Sequence, residues 1–125
     1  MDIRLTPNGN DLCYETYYGV YFRSSYAAIL ETMYNMNGKM VFQGEVTMND
    51  VYKSLGLELT NDKNCVGWND DYCSFALEKP PWIDFYTSTG IAPNGEPCIN
   101  LNYMYGPIFL GEWHDFMAEK FGPNN

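Results

Sequence analysis

The segment Thr47-Met48-Asn49-Asp50-Val51-Tyr52-Lys53-Ser54-Leu55-Gly56 constrains this chain more than any other. A threonine followed three residues later by an acid is a close relative of the capping box. The threonine oxygen accepts an orphan N–H of the first turn, and the acid suits the positive end of the helix dipole. Met48, Val51, Tyr52 and Leu55 recur at helical spacing, and Gly56 stands where a helix stops in the left-handed conformation. The spacing therefore predicts a short helix, capped at both ends, with one buried stripe.

The elements around it follow from similar signals. Tyr17 to Phe22 is aromatic and β-branched, as a strand requires. Phe22, Tyr26, Ile29, Leu30, Met33 and Asn37 fall at helical intervals, with Ser24 or Ser25 as cap and Gly38 as stop. Met40 to Phe42 reads as a short strand, and Cys65 to Trp68 as another. Pro80-Pro81 enforces an extended entry into Trp82-Ile83-Asp84-Phe85-Tyr86. The turn cluster Pro93 to Pro97 precedes Ile99 to Tyr105, where apolar residues alternate with Asn100, Asn102 and Met104. Trp113, Phe116, Met117 and Phe121 form a last helical stripe, stopped by Gly122-Pro123. Helix and strand signals mix without a βαβ rhythm. The expectation is one α+β domain over residues 1–125, with a mainly antiparallel sheet, about three helices, and residues 1–12 as a loose lead-in.

Strand parity carries the first functional reading. With Ile83 and Phe85 facing inward, Trp82, Asp84 and Tyr86 face the other way, as do Asn100, Asn102 and Met104 on the later strand. Pairing of the two strands across Asn94-Gly95 would join these side chains into a patch of aromatic, amide and carboxylate groups. Such a patch suits partner recognition. The competing expectation is that a helix such as Trp113 to Phe121 covers that face and makes it core.

Charge narrows the partner. Sixteen acids oppose seven bases, for a net charge of −9. From Pro80 to Glu119 there is no Lys or Arg, while Asp84, Glu96, Glu112, Asp115 and Glu119 lie in that span. Binding nucleic-acid phosphate or anionic lipid needs cations to replace counterions, so neither is expected as a direct partner. A basic protein surface is the complementary target, although net charge also serves solubility alone. Met1-Asp2-Ile3-Arg4 opens no export signal and no segment approaches a membrane span, so a soluble, cytoplasmic chain with Cys13, Cys65, Cys73 and Cys98 as free thiols is expected.

No catalytic constellation emerges. The one histidine, His114, has no nucleophile motif beside it, and its neighbour Asp115 does not share its helical face. The cysteine spacings are too wide for a zinc knuckle, although Cys65, Cys73, Cys98 and His114 could meet in space. Asp70-Asp71 and Glu112 with Asp115 are carboxylate pairs of a kind that acids this frequent produce by chance. Phosphate-loop and EF-hand patterns are absent. The reading assigns no catalytic residue, no metal and no cofactor.

From Tyr26 to Leu110 the chain resembles a family of small, uncharacterised proteins encoded by phages and prophages of Gram-positive bacteria. The residues that carry the resemblance are Gly44 to Tyr52, Leu55-Gly56-Leu57, Val66-Gly67-Trp68, Trp82-Ile83-Asp84-Phe85, and Ile99 to Gly106-Pro107. Relatives often have Asp-Phe-Asn-Val-Asp-Gly where this chain has Asn100-Leu101-Asn102-Tyr103-Met104-Tyr105-Gly106, so the resemblance implies an origin rather than an active site.

The expectation drawn from these observations is a non-enzymatic inhibitor of a host defence or nucleic-acid-handling protein, for example a CRISPR effector nuclease, acting in the bacterial cytoplasm. Asp70, Asp71, Asp84, Glu112 and Asp115 would stand in for phosphates, with Trp82 and Tyr86 as anchors. The alternatives are a small-ligand binder that stacks a nucleotide base on tyrosine, and an accessory module of a larger phage assembly.

Overall fold

The structure, a computed structural model, describes residues 1–121. The cap at Thr47 forms as its spacing predicts: Thr47 Oγ1 accepts the Asp50 N–H at 3.2 Å, and Asp50 accepts the Thr47 N–H at 2.9 Å. The helix it opens, α2, spans Met48–Leu55 and ends at Gly56 with φ +80°. Met48, Val51, Tyr52 and Leu55 are all buried. Lys39 pairs with Asp50 and ties the start of α2 to the preceding helix.

That preceding helix, α1, spans Tyr26–Gln43, with Ser25 as N-cap and Gly44 at φ +76° as the terminator. It passes through Gly38, where the sequence signal placed a stop. It also absorbs Met40 to Phe42, expected as a strand. Glycine within a helix costs only about 0.5–1 kcal/mol. Burial of Met36 and Met40, in register with Ile29 and Thr32, outweighs that cost. Phe22, read both as the end of a strand and as the start of the helical stripe, belongs to the strand Val20–Ser24 alone, and Tyr17 and Tyr18, expected in that strand, lie in the turn before it.

Among the described residues eight strands complete the fold, in two sheets. β1 (Ile3–Arg4), β2 (Asp11–Glu15), β3 (Val20–Ser24), β6 (Phe85–Ile91) and β7 (Pro97–Tyr103) form a five-stranded sheet in the order β1-β3-β2-β7-β6. The β2–β3 and β6–β7 pairs are antiparallel, while β1–β3 and β2–β7 are parallel. β4 (Glu45–Thr47), β5 (Val66–Asn69) and β8 (Ile108–Phe109) form a second, antiparallel sheet in the order β4-β5-β8. This is a single α+β domain with a mixed, mostly antiparallel main sheet. Gly67 is obligatory in β5, because a Cβ there would lie 2.0 Å from the Val46 carbonyl oxygen of β4.

Three segments depart from expectation. Residues 1–12 are held in place rather than loose: Ile3 and Arg4 pair with β3, Thr6 Oγ1 donates to the Arg23 carbonyl, and Asn8 Nδ2 donates to the Leu55 carbonyl at 3.2 Å. Between β5 and β6 the chain makes a π-helical turn, Tyr72–Ala76, that buries Cys73. The last helix, α3 (Leu110–Phe121), buries only Leu110 and lays Trp113 against Tyr72 and Phe75 at centroid distances of 5.5 and 6.2 Å. Its expected stop, Gly122-Pro123, lies outside the described residues.

The core fills the space between one face of the five-stranded sheet and the two helices α1 and α2. Cys13, Phe22 and Leu101 from the sheet meet Ile29, Met36, Met40, Val51, Tyr52 and Leu55 from the helices, with Trp68 and Ile83 completing the cluster. The opposite face of that sheet holds a much smaller cluster of Leu12, Ala92 and Cys98, flanked by Ile3, Tyr14 and Tyr21.

Candidate functional site

The uncovered face of the main sheet is where parity and topology assemble recognisable groups. Cross-strand registers place Ile3 beside Tyr21, Tyr21 beside Tyr14, Tyr14 beside Asn100, and Asn100 beside Ser88. A single row of side chains therefore crosses all five strands on one face. Tyr14 and Tyr21 stack at a centroid distance of 4.4 Å. Asn100 and Asn102 each donate an amide N–H to Ser88 Oγ at 3.2 Å, so their carboxamides are held in place by a shared hydroxyl. Tyr86 lies beside Asn102 and is 48 % exposed, and Trp82, in the extended lead-in to β6, is 51 % exposed. Met104 is exposed at the far end of β7.

Charges bracket this face. At one end Arg23 makes a two-pronged ion pair with Glu96. The hydrogen bond from Arg23 is the main reason the Glu96 carboxyl titrates below its ordinary value, with the guanidinium charge adding to it. At the other end Asp84 is half-buried, and its carbonyl accepts the Met104 N–H at 2.8 Å. Where β2 and β7 diverge beyond the Cys13–Ile99 pair, an open depression of about 380 Å³ is lined by Leu12, Glu96, Pro97 and Cys98 among others.

The seven residues expected to bind a partner fall into two groups. Tyr86 lies on the sheet face just described, beside Asn102. The strand expected from Trp82 begins only at Phe85, so Trp82, which is exposed, and Asp84, which is half-buried, precede it, while Ile83 is buried and Phe85 packs on the core. Asp70 and Asp71, both exposed, follow β5, and Glu112 and Asp115 are exposed on α3. These four surround the second sheet, where His114 Nε2 lies 3.3 Å from Glu45 Oε1. Among the described residues no hydrogen bond or ion pair links the two groups. The terminal helix does not cover the patch, since its aromatic residues are engaged with Tyr72 and Phe75 instead.

The sequence reading missed Tyr14 and Tyr21 as members of the face, because Cys13 to Thr16 was assigned to no element and the strand read from Tyr17 to Phe22 was given no partner. It also missed Glu15, which is completely buried. Glu15 accepts the N–H groups of Tyr17 and Tyr18 at 2.6 and 3.0 Å and the hydroxyl of Tyr52. Burial first, then the Glu15 charge, pushes the Tyr52 and Tyr103 hydroxyls far above the ordinary tyrosine range. Fully enclosed, this carboxylate cannot meet a solute; it fixes the turn that joins β2 to β3. The one sequence signal was Glu15 sharing parity with Cys13 ahead of a Gly19 turn.

Among the described residues no group of three or more His, Cys, Asp or Glu side chains could hold a metal ion. Cys65 is exposed while Cys73 and Cys98 are buried, so these thiols and His114 are not assembled into one site. Among the described residues no helix is long and apolar enough to cross a membrane.

The fold and site define a class: a small α+β protein whose main sheet has helices on one face and an open aromatic and amide face on the other. The chain belongs to the Family of unknown function (DUF6353), whose model matches residues 3–111. That match includes every strand of both sheets and stops at the first turn of α3, so Glu112 and Asp115 lie beyond it. Neither the curated proteins nor the solved structures compared with the chain contain a match.

Proposed function

We propose that this chain is a non-enzymatic, phage-type binding protein that lays the open face of its main sheet on a host protein with a basic surface. The target class is a nucleic-acid-handling or defence protein, such as a CRISPR effector nuclease, whose phosphate-binding channel the acidic chain would occupy in the bacterial cytoplasm. One observation carries the reading: on the face that no helix covers among the described residues, a row of side chains crosses all five strands, with Tyr21, Tyr14 and Asn100 at its centre between Ile3 and Ser88. Rigid aromatic anchors such as Trp82 and Tyr86 supply contact area at low entropic cost. Asp84, half-buried just ahead of β6, within a chain of net charge −9, would steer a basic partner and repel nucleic acid.

Affinity capture from a bacterial lysate, followed by titration of the purified partner, tests it. Trp82→Ala combined with Tyr86→Ala is expected to weaken binding at least about tenfold, since hot-spot anchors contribute about 2 kcal/mol or more each. Affinity is expected to fall as salt is raised from about 0.05 to 0.5 M, because surface charges are screened within a Debye length. Unchanged affinity in the double variant, together with insensitivity to salt, would contradict the proposal. The depression beside Leu12 and Cys98 favours a second reading, a small uncharged ligand. Thermal-shift screening with nucleosides in place of nucleotides would reveal it.

A further inference from the structure

The outer edge of β6 is unpaired and bears none of the usual safeguards. β6 is the terminal strand of the main sheet, seven residues long, with the sequence Phe-Tyr-Thr-Ser-Thr-Gly-Ile. It carries no charge, no proline and no lysine, the features by which edge strands usually avoid pairing with another chain. Its backbone polarity follows from its two ends. Met104 N–H donates to the Asp84 carbonyl and Ala92 N–H to the Glu96 carbonyl, so the even-numbered residues of β6 face β7. Phe85 N–H, of the opposite parity, points away from β7 and meets Met33 Sδ of α1 at 3.5 Å. The backbone groups of Thr87, Thr89 and Ile91 therefore point outward, and among the described residues no hydrogen bond reaches them. Asn37 of α1 holds both the N–H and the carbonyl of Ile83, so α1 closes the edge up to Phe85 and leaves Thr87 to Ile91 open.

From this geometry we infer that β6 pairs with β6 of a second copy of the chain, antiparallel, about a two-fold axis at Ser88. The outward groups of Thr87 and Thr89 then face Thr89 and Thr87 of the partner copy, as an antiparallel hydrogen-bonded pair requires. Side chains agree with the same axis. Tyr86 stands opposite Gly90, whose missing side chain leaves room on the same face for an aromatic ring; such cross-strand pairing stabilises an edge glycine. Phe85 stands opposite Ile91, which is 71 % exposed in the single chain. Asp84 comes opposite Ala92, so no carboxylate on either strand faces another, a condition that matters in a chain of net charge −9. The result is one continuous ten-stranded sheet whose uncovered faces lie on the same side. The inference does not depend on the partner proposed above.

Cysteine cross-linking combined with mass measurement tests it on the full chain. In a Cys65→Ser background, which removes the exposed native thiol, Ser88→Cys is expected to form a cross-linked species of twice the 14.4 kDa monomer mass under mild oxidation. Tyr86→Cys, displaced from its own copy by about four residues of strand, or about 14 Å, is expected to cross-link at least tenfold less. Sedimentation should show a concentration-dependent dimer for the unsubstituted chain. Thr89→Pro, which removes only an outward N–H, should stay monomeric. A chain that sediments as a monomer up to millimolar concentration, or that cross-links equally at positions 86 and 88, overturns the inference. Both readouts on the unsubstituted and cysteine-bearing chains remain decisive even if Thr89→Pro fails to fold.

Discussion

The two faces of β7 are built from neighbouring residues and do opposite things. Ile99, Leu101 and Tyr103 look inward onto α1 and α2, and Leu101 is completely buried. Cys98, Asn100 and Asn102 look the other way, and the two asparagines share the Ser88 hydroxyl on an uncovered surface. On the inward face each side chain is fixed by what packs against it. On the outward face beyond the small Leu12 cluster, the side chains are ordered by one another and cover nothing. A sheet divided in this way places the core on one surface, and on the proposed reading leaves the other for a partner, so each should be alterable without the other.

The largest effect should come from the inward face. Leu101→Ala is expected to cost about 2–5 kcal/mol, because the lost methyl groups leave a cavity that α1 and α2 cannot fill, and urea unfolding would measure it. Glu15→Gln comes next. An amide N–H₂ would then face one of the donors now held by the carboxylate, at a cost of about 1–3 kcal/mol in the same assay. Alkaline pH sharpens the contrast on the same face. The folded state holds the protons of Tyr52 and Tyr103 above the ordinary tyrosine value of 10.0, so their contribution is intact below that value. It is lost as pH rises above it, because the unfolded chain releases those protons first. A melting series across that range should show falling stability, with a shallower fall in Tyr52→Phe. The smallest effect is expected on the outward face, where Asn102→Ala should change stability by no more than about 0.5 kcal/mol.

How far the sequence disclosed this arrangement depended on whether the deciding interaction was local. The α2 caps were legible because Thr47, Asp50 and Gly56 satisfy one another's backbone groups within ten residues. The burial of Ile83 and Phe85 and the exposure of Tyr86 were legible because alternation along an extended chain is local, although the strand itself begins only at Phe85. The end of α1 was not, since Gly38 reads as a stop until the burial of Met36 and Met40 against distant residues is known. β2 was hidden because its pairing with β7 is long-range and its neighbourhood is rich in turn residues. The α3 stripe was read from Trp113, Phe116 and Phe121, but spacing alone could not say that it packs on Phe75 rather than over the sheet. For the same reason the acids at Asp70, Asp71, Glu112 and Asp115 were grouped with Asp84, although the fold keeps them around the smaller sheet.

The claim that one face of this sheet is free for a partner is tested most directly by a paired measurement on the variant Tyr86→Ala/Asn102→Ala. Its melting midpoint and its affinity for the captured partner would be determined side by side with those of the unsubstituted chain. The account predicts a midpoint within about 2 °C, given that about 1 kcal/mol shifts a domain of this size by a few degrees, and an affinity at least about tenfold weaker. Full affinity in the variant, or a midpoint that falls as far as that of Leu101→Ala, would contradict it.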